Sequence, residues 1–498
     1  MQELTRRQLL ARGTALALGA VPFAEALASA APPTGIFREL DRSLRGDVVQ
    51  RGAPGYNAAR VLYDTRFDGV RPQAIAFCES LADVQKTVRW ALNHNIHIVP
   101  RSGGHSYGGY STTSGVIVDV SRLHAISLTA DARAAVGAGA RLIDVYAALA
   151  ARGRTVPAGT CPTVGMGGLT QGGGIGMSAR KFGLTCDNLL EATVVLADGR
   201  AVVANAHSHP DLYWALRGGG GGNFGIVTRF VFRTHRVDNV VTYSASWPWA
   251  DAKRVVDAWQ KLAPTAPDGL FSVLNVNAAA GSSANPNITS AGQFYGAEDQ
   301  LRTILQPLIS AGTPLHFTTS TRTFMNAALM WAGCGSLPVC HLPPQGNRGR
   351  ATFAAKSSFS SQRLSSAGID ALLRQLEERR STGTGSGIVL LDSWGGAINR
   401  VPKGRTAFVH RDALFSLQYL AYWDRGAPAA PNVAWLRRCY AAMRPYVSAF
   451  AYQNYIDPDL STWPHAYYGS NLPRLQRIKR IYDPHNVFHT RQSIRLSR

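Results

Sequence analysis

Three glycine-rich segments hold the residues best placed to do chemistry. In Pro100-Arg101-Ser102-Gly103-Gly104-His105-Ser106-Tyr107-Gly108-Gly109, a strand runs into a turn of small residues. Backbone N–H groups converge in such a turn, which is how a chain cradles a diphosphate. His105 follows that nest, where the reactive end of a cofactor would sit, although a histidine after a turn is usually an ordinary loop residue. The second segment runs from Gly159-Thr160-Cys161-Pro162-Thr163-Val164-Gly165-Met166-Gly167-Gly168 through Gly172-Gly173-Gly174-Ile175-Gly176. So many glycines are costly unless backbone must closely approach something flat or anionic. Taken alone, Cys161 reads as a buried small hydrophobe. The third is Arg217-Gly218-Gly219-Gly220-Gly221-Gly222-Asn223-Phe224-Gly225-Ile226-Val227-Thr228. None matches the single G-x-G-x-x-G strand–helix fingerprint. Three such loops point to a large cofactor gripped along its length.

The elements that must position these loops follow from hydrophobic periodicity. From about Asp64 to Val237, strands are predicted at Ala74–Phe77, Ile96–Pro100, Val116–Val120, Ala135–Ala138, Ala192–Leu196 and Ile226–Phe232, with a helix over Leu81–His94. From Tyr243 to about Tyr446 the texture changes. Strand-like stretches at Tyr243–Trp247, Leu270–Asn277 and Ala413–Trp423 flank amphipathic helices at Asp251–Leu262 and Ser365–Arg379. This reads as a second domain, an antiparallel sheet covered on one face by helices. In the strand Leu414-Phe415-Ser416-Leu417-Gln418-Tyr419-Leu420, period-2 alternation puts Ser416 and Gln418 on one face. A polar face there is wasteful in a core. The tail from Phe450 is too short for a domain and is expected to pack back onto the first.

Together these segments closely resemble the FAD-linked oxidases of the berberine-bridge-enzyme-like family, within the vanillyl-alcohol oxidase superfamily. The resemblance runs from near Arg71 through Val237. It returns in Asn454-Tyr455-Ile456-Asp457, Tyr467-Tyr468-Gly469-Ser470-Asn471, Ile478-Lys479, Tyr482-Asp483-Pro484-His485-Asn486-Val487-Phe488 and Gln492-Ser493-Ile494. It implies an α+β fold: a two-part FAD-binding domain of the vanillyl-alcohol oxidase/PCMH type (31–237), a substrate-binding domain (238–446) and a C-terminal segment (447–498). It also implies bicovalent FAD, attached through His105 and Cys161. The residues expected to grip the cofactor are Arg101, Ser102, Gly103, Gly104 and Ser106 in the first loop, and Gly165, Gly168, Gly172, Gly173 and Gly176 in the second. Gly222, Asn223, Gly225 and Val227 in the third loop join them, with Tyr455 and Asn471 from the tail. The family's catalytic tyrosine falls in Tyr452-Gln453-Asn454-Tyr455, with Tyr452 favoured as base and Tyr455 the alternative. Gln418 becomes a substrate-orienting group, and Ser416 and Tyr107 line the same cleft. Val164, three residues after Cys161, takes the position that gates oxygen. One departure stands out: where many relatives carry a tyrosine in the GGG-x-G stretch, this chain has Ile175.

Composition bounds the rest. The chain has 498 residues, 45% of them apolar and 17% charged, against about 25% charged in a typical soluble protein. Large cores are possible, and disorder is excluded for most of its length. Its six cysteines are too few for a disulfide scaffold. Cys334 and Cys340 remain open between a local disulfide and free thiols, while Cys78, Cys186 and Cys439 read as buried. The charge of +21 is spread along the chain rather than striped, so no nucleic-acid partner is expected. No histidine pair has further ligands at metal spacing, so no metal is expected either. Residues 1–30 read as a twin-arginine export signal. Arg6-Arg7 precedes an apolar stretch, Ala15–Phe23, and a small-residue cleavage site, Ala28-Ser29-Ala30. The expected partners are thus the twin-arginine export machinery, a small-molecule substrate and O2, with no stable membrane insertion and a periplasmic or extracellular location. The leading reading is a secreted oxidase taking a hydride from an alcohol or sugar hemiacetal carbon and giving H2O2. The alternatives are a tailoring oxidase of an aromatic or glycosylated natural product, and a non-catalytic exported binder.

Overall fold

The computed structural model describes residues 35–496, so the expected leader lies outside the described residues. Two larger sheets and a two-stranded pair, Arg154–Thr155 with His235–Arg236, build the first half. Strands Asp47–Gln50, Ala74–Phe77, Val116–Asp119 and Ile98–Arg101 lie side by side in that order, the last three mutually parallel. The continuous apolar runs of the central strands follow from burial on both faces. Ala74, Ala76, Val116 and Val118 pack into the main core, while Ile75, Val99 and Ile117 join Tyr56 on the other side. The helix Leu81–Asn93 starts at a capping box in which Ser80 and Asp83 satisfy each other's backbone N–H groups. The second sheet is antiparallel, in the order Ile126–Leu128, Arg133–Gly137, Ile226–Arg233, Leu189–Val195, Ala201–Asn205.

A seven-stranded antiparallel sheet dominates the second half. Its order is His316–Thr323, Asn239–Trp247, Asn287–Phe294, Leu270–Ala279, Ser386–Ser393, Phe415–Trp423, Thr352–Ser360. Helices Ala252–Leu262, Glu298–Ile309, Ser366–Arg379 and Ala429–Met443 bury one face, meeting Leu274, Leu391, Leu417 and Tyr419. The other face presents Phe353, Leu390, Leu420 and Gln418 toward the first half of the chain. The fold is the α+β type expected. Four of the seven strands, Asn287–Phe294, His316–Thr323, Thr352–Ser360 and Ser386–Ser393, had no counterpart in the sequence reading.

The tail divides its contacts. Trp463, Tyr467, Leu475, Phe488 and Ile494 enter the core of the first half. Its opening residues run along the edge strand Thr352–Ser360 instead, with backbone bonds from Phe359 N–H to the Phe450 carbonyl and from Ser448 N–H to the Phe359 carbonyl. That contact also covers an otherwise open sheet edge. Cys334 and Cys340 are disulfide-bonded, and Cys78, Cys186 and Cys439 are buried thiols. Among the described residues no helix is long and apolar enough to cross a membrane.

Candidate active site

One cavity of about 270 Å³ collects the residues that the loops were expected to supply. The first loop contributes Ser102, Gly103, Gly104, His105, Ser106 and Tyr107; the second contributes Cys161, Val164, Gly165 and Gly168; the third contributes Gly222, Asn223, Gly225 and Val227. Gln418, Tyr452 and Tyr455 reach it from the seven-stranded sheet and the tail. Glycine is required where the first two loops meet. A Cβ on Gly103 would lie 2.2 Å from the Gly165 nitrogen, and one on Gly165 would lie 2.0 Å from Ser102 Oγ. Gly222 holds φ +72°, the left-handed region that glycine enters without strain.

His105 is fixed from two sides. Its Nε2 pairs with Thr163 Oγ1 at 2.8 Å, and its ring stacks on Tyr63 with centroids 4.2 Å apart. Burial, helped by the charges of Arg141 and Arg348, pushes its pKa down to about 3, so the imidazole is neutral near pH 7. Cys161 is exposed, unlike the three other free thiols, which corrects the buried-hydrophobe reading.

The tyrosines form a second cluster. Tyr452 is 1% exposed. Its oxygen accepts hydrogen bonds from the Gly174 N–H at 2.7 Å and from Asn454 Nδ2 at 3.0 Å. Burial raises its pKa, and the Gly174 N–H opposes that shift. Ser357 Oγ accepts the Tyr452 N–H at 3.0 Å, tying this residue to the edge strand. Tyr455 is half-buried, its ring edge-on to Tyr452 at 4.9 Å and parallel to Tyr107 at 5.6 Å. Gln418 Nε2 donates to Tyr107 Oη at 3.1 Å, so the sheet and the first loop meet through side chains. Ile175 also lines the cavity.

Six expected site residues fall outside the cavity. Arg101 is buried in an ion pair with Asp119. Gly172 and Gly173 make room for the chain itself: a Cβ on Gly172 would lie 1.9 Å from Asn454 Oδ1, and one on Gly173 would lie 3.1 Å from both Phe408 and Tyr452 Oη. Gly176 lies under the Ala158 carbonyl, 1.8 Å from a notional Cβ. Asn471 Nδ2 donates to the carbonyls of Lys403, Thr406 and Ala407, pinning a loop. Ser416 shares the face of Gln418 but sits opposite Asp392, one step too far along the strand. The sequence reading also missed lining residues: Gln453, Asn454, His489, Thr490, Gln492 and Ser493. The segment Gln492-Ser493-Ile494 had carried resemblance, a signal that these positions touch something. Lys479, with no exposed side-chain surface, explains how they are held. It pairs with Asp483 and donates to the carbonyls of Asn223 and Phe488, locking the tail to the third loop.

Residues 72–205 match the family model described as an FAD binding domain, and residues 451–495 match the one described as berberine and berberine like. Monolignol oxidoreductase AtBBE-like 13 of Arabidopsis thaliana is 31% identical over 443 residues, covering 82% of this chain and 81% of its own. The structure of Physcomitrella patens BBE-like 1 superposes with a TM-score of 0.86 at 33% identity, covering 93% of this chain and 100% of that one. The chain belongs to the berberine-bridge-enzyme-like family of FAD-linked oxidoreductases. The structure of the xylooligosaccharide oxidase from Myceliophthora thermophila C1, solved with xylobiose, superposes with a TM-score of 0.83 at 27% identity over 93% of this chain and 100% of its own.

The residues present fit the flavin of a berberine-bridge-enzyme-like oxidoreductase. Tyr110 Oη, Ser111 Oγ and Gln492 Oε1 are buried along the cavity with no partner among the described residues, leaving polar atoms for a polar ligand to satisfy. At Gly168 a Cβ would meet nothing within 4 Å, so the space it faces belongs to the cavity and not to the protein.

Proposed function

We propose that the protein is an exported oxidase that takes a hydride from an alcohol or sugar hemiacetal carbon and passes the electrons to O2 as H2O2, with its flavin attached through both His105 and Cys161. The observation that carries this reading is the lining of one cavity, where an exposed thiol and a neutral imidazole face the Gln418–Tyr107–Tyr455–Tyr452 cluster. An accessible thiol can form a bond that a buried one cannot. With Nε2 of His105 engaged by Thr163, Nδ1 is the nitrogen left to bond. Bound FAD supplies the two-electron acceptor for the hydride and the reductant for O2.

The chain's own residues orient the donor and move the proton. Gln418 and Tyr107 hold each other at the cavity wall and position the substrate hydroxyl. Tyr452 Oη takes the hydroxyl proton as the C–H bond breaks, and the Gly174 N–H and Asn454 amide stabilise the charge it carries when deprotonated. Tyr455 is the alternative base. Val164 at the cavity wall is the proposed oxygen gate. A sugar donor is supported by the xylooligosaccharide oxidase relative. An aromatic alcohol, or the tailoring of an aromatic product, is supported by the parallel Tyr107 and Tyr455 rings and by the monolignol oxidoreductase relative.

Denatured, acid-precipitated protein is expected to stay yellow. His105→Ala and Cys161→Ala each retain flavin through the other attachment, and only the double variant loses it. A colourless wild-type pellet overturns the bicovalent reading, and colourless native protein would favour a non-catalytic binder. A peroxide-release screen of oligosaccharides against aromatic alcohols separates the two substrate classes. Export rests on residues 1–30, and Arg6→Lys with Arg7→Lys should abolish it.

A further inference from the structure

We propose that Arg141 and Arg348 form a cationic clamp around His105 that raises the reduction potential of the flavin held in this cavity. The proposal rests on FAD occupying the cavity and does not require either covalent bond.

Arg141 precedes the helix Leu142–Ala150 and reaches back across the first two loops. Its Nη1 donates to the Gly103 carbonyl at 3.1 Å and to the Thr163 carbonyl at 2.8 Å. Thr163 in turn holds His105 Nε2, so one guanidinium fixes both loops at the imidazole. The second cation comes from the segment that follows the Cys334–Cys340 disulfide. Arg350 Nε donates to the Leu62 carbonyl at 2.6 Å, and the Ala351 N–H donates to the Tyr63 carbonyl at 3.2 Å. Tyr63 donates its N–H to the Gly104 carbonyl and stacks on His105. This strap carries Arg348, whose Nη1 is anchored on the Ala332 carbonyl at 2.8 Å beside the Cys334–Cys340 disulfide.

Neither guanidinium is in a salt bridge among the described residues, although Asp119 and Asp144 act on Arg141 from farther away. Asp119 is committed to Arg101, Asp144 to His341, Asp64 to Arg66, and Asp68 to Arg350 and Arg425. Both charges therefore act on His105, and their field is stronger there than it would be in bulk water. Burial is the main cause of the lowered pKa of His105, and the two guanidinium charges push it the same way. Reduction of a flavin adds electrons, so the same field stabilises the reduced form more than the oxidised form.

The test uses the holoenzyme in spectroelectrochemical titration. Along the series Arg348→Lys, Arg348→Met, Arg348→Glu, the midpoint potential is expected to stay, fall, and fall again in proportion to charge, with steps that shrink at high salt. Arg141→Met should lower the potential and Arg141→Lys should keep it. Anaerobic flavin reduction should slow in the same order while substrate Kd stays constant, a split that mere loosening of the loops would not give. Should the buried Arg141→Met variant fail to fold, the half-buried Arg348 series still decides. Wild-type potentials in both Arg348→Met and Arg348→Glu would overturn the clamp. Wild-type protein free of flavin would overturn the cofactor reading with it, and that result is visible before any potential is measured.

Discussion

Tyr452→Phe separates chemistry from architecture, because the hydroxyl has a structural role and a proposed catalytic one, and the two effects are read by different assays. The ring should stay where it is: its backbone N–H is held by Ser357 Oγ, and Phe359, Trp394 and Phe408 surround it edge-on. What disappears is the oxygen that accepts the Gly174 N–H. The Asn454 amide keeps its bond to the Leu169 carbonyl, so one buried donor is left unpaired. That costs about 1–3 kcal/mol of stability. Loss of a general base costs at least ~100-fold in the rate of anaerobic flavin reduction, equivalent to about 2.7 kcal/mol of barrier. Binding should change little, since only the hydroxyl is gone. The pH dependence has a definite sign. Burial raises the phenol pKa above its usual ~10, and the proposed base is its deprotonated form. Wild-type reduction should therefore accelerate with pH throughout the alkaline range, while Tyr452→Phe stays flat. Denaturant unfolding and stopped-flow reduction on the same preparation decide the matter. A Tyr452→Phe protein that is less stable yet reduces its flavin within ~10-fold of wild type, paired with a Tyr455→Phe protein that does not, refutes Tyr452 as base and hands the role to Tyr455.

Val164→Ile should slow reoxidation by O2 strongly while leaving anaerobic reduction nearly unchanged, at a stability cost of no more than ~1–3 kcal/mol; equal reoxidation rates in stopped flow would remove Val164 as the gate. Gly168→Ala should fold as well as wild type or slightly better, because it sits in the helix Met166–Gln171 and its Cβ meets nothing, yet flavin bound per protein should fall. Gly172→Ala should do the reverse, losing stability in thermal unfolding because its Cβ strikes Asn454, which a cofactor does not relieve. His410 lies among Phe359, Phe408 and Phe450, and burial drives its pKa down to about 3. The unfolded chain binds a proton here below about pH 6.5 and the fold does not, so stability should fall as pH drops from 6.5 toward 3, with His410 contributing a slope of about 1.4 kcal/mol per pH unit. Unfolding midpoints at pH 7, 5 and 4 should show a shallower slope in His410→Gln.

Much of this arrangement was legible in the sequence, and the physical reason differs by element. The strands Ala74–Phe77 and Val116–Asp119 announced themselves because burial on both faces forces an unbroken apolar run. Ser416 and Gln418 could be assigned to one face because alternation with Phe415, Leu417 and Tyr419 is a local property of the chain. The strand His316–Thr323 could not be read the same way. At the sheet edge it buries none of its residues fully, so nothing selects an apolar alternation among its threonines and single serine.

The glycines show where local reasoning ends. Their density in 159–176 rightly required some close approach, but the sequence does not name the approaching surface. At Gly168 it is the cavity, whereas at Gly172 and Gly173 it is Asn454, Phe408 and Tyr452. The same limit governs the tyrosines. Tyr452 and Tyr455 come near Gln418 because the tail runs along the strand Thr352–Ser360, where Ser357 grips Tyr452 and is itself paired in register with Gln418. On the opposite face of that strand Lys356, 4% exposed, forms a buried ion pair with Asp457, two residues beyond Tyr455. Removing one partner of such a pair leaves a bare charge in the interior, which is strongly destabilising. Tyr452, the Gln418 amide and the sheet edge between them are thus fixed by contacts 95 and 101 residues apart in the chain. Periodicity finds the strands that make those contacts, and only the tertiary packing joins them.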